Sequence, residues 1–116
     1  MKLELHTSRL AVSRTTQAYT ERRLGFALGR FADVVEHVVV TLADVNGPRG
    51  GIDKSCRIRV KLIGRKAPVI VDVLDLEIRA AIDMAAERVG RAVARQLDRQ
   101  TSRRGFDRHV ESVAGQ

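Results

Sequence analysis

The residues of this chain best suited to chemistry are its arginines. Arg88, Arg91, Arg95 and Arg99 recur at intervals of three or four, which on a helix gathers them within about 80° of one another. Arg22, Arg23 and Arg30 sit on an earlier helical segment, and Arg103 and Arg104 lie just beyond the later one. A guanidinium is planar, permanently charged and weakly hydrated, and it pairs bidentately with phosphate. Such a ridge suits a polyanion, and folded RNA read by shape and phosphate is the leading expectation. The plainer alternative is a solvated helix face carrying pairs such as Glu87 with Arg91, each worth roughly a few tenths of a kcal/mol.

A second basic set, Arg57, Arg59 and Lys61, alternates with apolar residues. On a strand these three side chains share one face at about 6.5–7 Å, close to the phosphate spacing of a nucleic-acid backbone. The alternative is that they only keep one sheet face wet, paired across strands with Glu4 and Asp72. The aromatic residues are Tyr19, Phe26, Phe31 and Phe106. None falls on a predicted strand, which disfavours a sheet that stacks splayed bases.

Other chemistry is poorly supported. His6, His37 and His109 are far apart in the sequence, and the first two fall on or beside strands, where a structural role outweighs general-base work. Cys56 shares the inward set of its strand with Ile58 and Val60, which makes it a small core residue rather than a nucleophile. The segment Gly47-Pro48-Arg49-Gly50-Gly51 lacks P-loop or dinucleotide-binding spacing and joins two strands; it reads as an exposed, mobile turn. Asp72, Asp75, Glu77 and Asp83 could form an acidic metal cluster, but capping and the helix dipole explain acids at a helix start more simply. One thiol and three histidines cannot supply a four-ligand Cys/His zinc site. The expectation is a non-enzyme with no cofactor, no metal and no small-molecule substrate.

The 116 residues suffice for one domain. Hydrophobic residues are 44% of the chain and charged residues 30%, enough for a core and unlike a disordered composition. No apolar run approaches the roughly 18 residues of a membrane span, and the N-terminus lacks a signal-peptide pattern. A reduced, cytoplasmic setting without membrane insertion is expected. The net charge of +7 is unevenly placed. Residues 44–66 and 88–108 each hold seven basic and two acidic side chains, whereas 67–87 hold one basic and five acidic. Segregation of sign implies an oriented surface with one side for its ligand.

Periodicity supplies the elements that must position these groups. Alternation at 2–6 predicts a strand, and residues spaced by three or four predict a helix over about 14–33. Residues 36–45, 54–63 and 69–73 read as strands, and a second helix runs from Asp75 to about Gln100. The order β-α-β-β-β-α makes an α+β domain over residues 1–100. Its four-stranded mixed sheet has the first two strands parallel, the rest antiparallel, and both helices on one face. Residues 101–116 lose periodicity and read as a frayed, basic-then-polar tail.

Three stretches resemble one family. They are Tyr19-Thr20-Glu21-Arg22-Arg23-Leu24, the segment from Val45 to Val60, and Ala80-Ala81-Ile82-Asp83 followed by Ala86, Val89, Gln96 and Leu97. Over about residues 1–100 the chain resembles the bacterial ribosome hibernation-promoting factor and ribosome-associated inhibitor family, also called sigma-modulation proteins, in its short form. The resemblance implies the same β-α-β-β-β-α fold, similar in layout to double-stranded-RNA-binding domains. It also implies binding to small-subunit rRNA in the tRNA and mRNA channel, with other hibernation factors as further possible partners, and it places the family's basic helix positions on Arg22, Arg23, Arg30, Arg88, Arg91, Arg95 and Arg99. Where that family often has an acid and an aromatic residue before the Ala-Ala-Ile-Asp element, this chain has Glu77 and Arg79. A general structured-RNA-binding module and a protein-interaction domain remain the alternatives.

Overall fold

The computed structural model describes the backbone of residues 1–45 and 53–115 and the side chains of these as far as Arg99. The glycine-rich turn at 47–51, expected to be exposed and mobile, lies outside the described residues. The elements are β1 (Lys2–Ser8), α1 (Arg14–Leu28), a 3-10 turn (Gly29–Phe31), β2 (Val35–Asp44), β3 (Lys54–Leu62), β4 (Val69–Asp75) and α2 (Ile78–Gly115). The sheet order is β1-β2-β3-β4. A helical crossover leaves β1 parallel to β2, with Leu3 beside Val38 and Leu5 beside Val40. Short connections make the rest antiparallel, Val40 facing Ile58 and Ile58 facing Val71.

Strand alternation sorts the side chains into two faces. Val38, Val40, Leu42, Cys56, Ile58, Val60, Leu62 and Val73 are buried on the inner face. Leu24 and Leu28 from α1, with Ile82, Val89 and Val93 from α2, close over them into one core. Ala81, Ala85 and Ala86 are also buried there, and their small size lets α2 lie close to the sheet. Ser13 starts α1, its side chain accepting from the Thr16 N–H at 3.2 Å. Gly64, at φ 78°, turns the chain after β3 so that the Arg65 N–H reaches the Leu62 carbonyl at 3.2 Å.

The element order, the mixed sheet and the placement of both helices agree with the sequence reading; two helix ends do not. The first helix was expected to reach 33, but its α-helical part stops at Leu28 and tightens into the 3-10 turn, and β2 opens at Val35. The second was expected to end near Gln100, yet its backbone stays helical through Gly115. At 1.5 Å per residue its 38 residues span about 57 Å, whereas the longest strand has ten residues, about 33 Å. Among the described side chains, Leu97 is the last of α2 packed against the core. Apolar periodicity stops there because the sheet stops, while the residues beyond include no proline to break the helix.

Ile58 and Arg59 are adjacent on β3 but face opposite ways. We expect Ile58→Ala to lower the free energy of unfolding by about 2–5 kcal/mol. Arg59→Ala should change it by less than about 0.5 kcal/mol, both read from urea denaturation.

Candidate nucleic-acid interface

The basic surface is built on the seam between α1 and α2. Asp83, on the flank of α2 that meets α1, accepts from Arg23 Nε at 3.0 Å, and Arg23 Nη2 also reaches the Asp83 carbonyl at 3.2 Å. The Tyr19 hydroxyl donates to the same carboxylate. That hydrogen bond, with burial and the Asp83 charge behind it, raises the Tyr19 phenol above its ordinary value. Arg79 lies over the Tyr19 ring at 4.6 Å, so the position where the family often has an aromatic here packs a cation on one. About two turns further along α2, a Cβ on Gly90 would come within 3.2 Å of the Ala27 carbonyl oxygen. The helices therefore touch backbone to backbone at that point.

This seam divides the helix arginines into two groups. Arg23 is half-buried and committed to Asp83. Arg22, Arg30, Arg88, Arg91, Arg95 and Arg99 are exposed. Of these, Arg91 pairs with Glu87, as the sequence suggested, and Arg30 leans over the Phe31 ring at 4.6 Å. Arg22, Arg88, Arg95 and Arg99 have no ion pair among the described residues. Arg23 from α1, Arg30 from the 3-10 turn that follows it and Arg91 from α2 line one groove, and Arg88, Arg95 and Arg99 continue from Arg91 around the solvent side of α2. The helix layer thus joins the two segments into one positive surface.

The sheet set is more nearly neutralised. Arg57 lies 4.0 Å from Asp72, the expected partner, while Lys61 pairs with Glu36 at 3.2 Å. Glu4, the other expected partner, serves neither. It faces Lys2 at 3.9 Å and His6 at 3.3 Å. His37 Nε2 is 3.2 Å away, in ion-pair range but off the line of a hydrogen bond. The His6 hydrogen bond, with His37 and Lys2 behind it, holds the Glu4 carboxyl below its ordinary value. Arg59 stands exposed between Val39 and Ile70, without an ion pair among the described residues. The side chains of Arg103 and Arg104 lie outside the described residues.

The remaining candidates have structural uses. Cys56 is fully buried, and burial pushes its thiol up to about 12, far from a reactive thiolate. Asp75 Oδ1 accepts the Glu77 N–H at 3.2 Å, so Asp72, Asp75 and Asp83 serve an ion pair, a cap and the helix seam. Two features escaped the sequence reading. Arg65 donates to the Gln96 carbonyl at 3.2 Å, tying the β3–β4 turn to α2. Phe26 is 84% exposed at the rim of the α1–α2 groove. Its signal was present, since position 26 lies about 200° around the helix from Leu24 and Leu28.

An α+β domain with two helices on one face of a β1-β2-β3-β4 sheet is a fold found among ribosome-interface proteins. The crystal structure of the Protein Y N-terminal domain from Thermus thermophilus matches with TM-score 0.67 and 25% identity, over 82% of this chain and 98% of that one. A ribosomal subunit interface protein from Coxiella burnetii matches in fold with TM-score 0.69 and 13% identity, over 84% and 99% respectively. No family model and no curated protein matches the chain. The resemblance to the hibernation-promoting factor family carried by the sequence is borne out in the structure.

Asp83→Ala should remove the seam's acceptor and lower stability by about 1–2 kcal/mol in urea unfolding, since hydrogen bonds to charge are discounted at half-exposed sites. Tyr19 is the sole tyrosine and there is no tryptophan, so ultraviolet absorbance titrates it directly. The folded phenol should ionise above 10.0 and return toward that value in the variant. Because the folded value is raised, its contribution to stability is intact below about pH 10 and is lost as pH rises through the folded value.

Proposed function

We propose that this protein is a cytoplasmic, non-enzymatic factor that associates with the ribosome and restrains translation. In this reading it docks on small-subunit rRNA through arginine–phosphate contacts and fills space that tRNA and mRNA would otherwise use. The observation that carries the reading is the outward set Arg22, Arg30, Arg88, Arg91, Arg95 and Arg99 on one helix layer, most of it free of carboxylates among the described residues. The family resemblance and the likeness in fold to a ribosomal subunit interface protein support the choice of the ribosome as the polyanion. Exposed guanidinium groups on rigid helices suit phosphates held in a fixed array, since little ordering is needed on docking. The domain of residues 1–100 carries the docking surface in this proposal, with Arg103 and Arg104 extending it.

Each phosphate engaged should steepen the fall of log affinity with log salt by about 0.7–0.9. Replacing Arg91, Arg95 and Arg99 together by Ala should flatten that slope by about two to three and weaken binding to isolated small subunits. Stability should change by less than about 0.5 kcal/mol per site. Sedimentation with small subunits across a salt series measures all of this. Salt-independent binding, or a triple variant indistinguishable from the parent, would sink the docking mode. Equal competition by bulk duplex RNA would replace the ribosome with a general RNA target.

A further inference from the structure

The α1–α2 groove has a composition that phosphate docking alone does not explain. Its volume is about 520 Å³, within the range of about 300–1,000 Å³ typical of small-ligand sites. Its floor is Ala27, Ala86 and Gly90, which offer no side chain beyond Cβ and leave room for a flat ring. Arg23, Arg30 and Arg91 stand on its walls. Asp83 holds Arg23 and Glu87 holds Arg91, so Arg30 supplies the charge without a carboxylate partner among the described residues, and exposed Arg91 can exchange a weak surface partner for a phosphate. Phe26 forms the rim with most of its ring in solvent. Arg22 lies one helical turn before Phe26 on α1, and Arg30 follows Phe26 in the 3-10 turn that lines the same groove.

A lone exposed aromatic residue needs no explanation. An exposed ring beside a shallow apolar floor, with Arg30 in no ion pair among the described residues and Arg91 held only by an exposed carboxylate, selects a ligand that is planar and apolar on one part and anionic a few ångströms away. We propose that this groove receives one unpaired nucleotide of the bound RNA, its base against Phe26 and its phosphate on Arg30 and Arg91. The proposal rests on the RNA-binding reading but is separable from the ribosome as target. It differs from sheet-face stacking because the aromatic platform is on a helix, among the phosphate-binding groups. Base–aromatic stacking tolerates any base, so the site selects an unstacked nucleotide and not a sequence.

The test uses the full chain, the variants Phe26→Ala, Phe26→Leu and Phe26→Tyr, and two probes. Against isolated small subunits, Phe26→Ala should weaken binding by about 5- to 150-fold, the range for one stacked base. The salt slope should be unchanged because no phosphate contact is lost. Tyr should restore affinity and Leu should not. Full rescue by Leu would assign the ring to an apolar protein contact and overturn the proposal, as would wild-type affinity in the Ala variant. The second probe is an RNA stem with one unpaired purine, compared with the same stem fully paired. The parent should prefer the bulged stem and Phe26→Ala should not. If the protein ignores small subunits but keeps this preference, the ribosome reading fails and the nucleotide site stands. No preference in the parent overturns the site.

Discussion

The positive surface depends on where the carboxylates go. With 14 acidic against 21 basic side chains, a random arrangement would neutralise most of the molecule and leave no docking face. Asp83 prevents this by taking its cation from the neighbouring helix: Arg23 and Tyr19 converge on it from α1, and one acid becomes the joint between two helices. Three other acids of 67–87 are similarly occupied. Asp72 faces Arg57, Asp75 caps the turn into α2, and Glu87 holds Arg91. Most of the acidic block is consumed locally, and the arginines that follow it on α2 are left largely unbalanced.

The same accounting separates the two basic surfaces. On the sheet, Arg57 and Lys61 each have a carboxylate in reach, so a phosphate would have to displace an existing partner, and Arg59 alone stands free among the described residues. Glu4 adds negative potential to that face while drawing in Lys2, His6 and His37. Exposed pairs of this kind are weak, but they reduce the net field a polyanion would meet. The helix layer carries the stronger uncompensated field and is the better docking face.

Most of the scaffold was legible in the sequence because each element has a strong period. Cys56, Ile58, Val60 and Leu62 alternate with charged residues along β3, and all four are buried. The helix ends were less legible, since they depend on how far the sheet extends and not on the period itself. For the site, the arginine positions could be read but their partners could not. A pairing over four residues, Glu87 with Arg91, follows from helical geometry. The pairing of Arg23 with Asp83 spans 60 residues and exists only once the helices are packed. Glu4 was assigned to the basic strand set, but the register sets it beside Val39 and within reach of the histidines.

Gly90 connects the packing to the proposed chemistry. Its missing Cβ lets α2 approach the Ala27 carbonyl, and that contact sets the separation of the groove walls bearing Arg30 and Arg91. A larger residue would push the helices apart, strain the reach of Arg23 to Asp83, and widen the gap that a single nucleotide would bridge. The close approach needed for the core and the spacing needed for a ligand are thus one constraint, imposed at a position where even a Cβ would press on the Ala27 carbonyl oxygen. The docking face is therefore a property of the packed helix pair, and neither helix alone would present it.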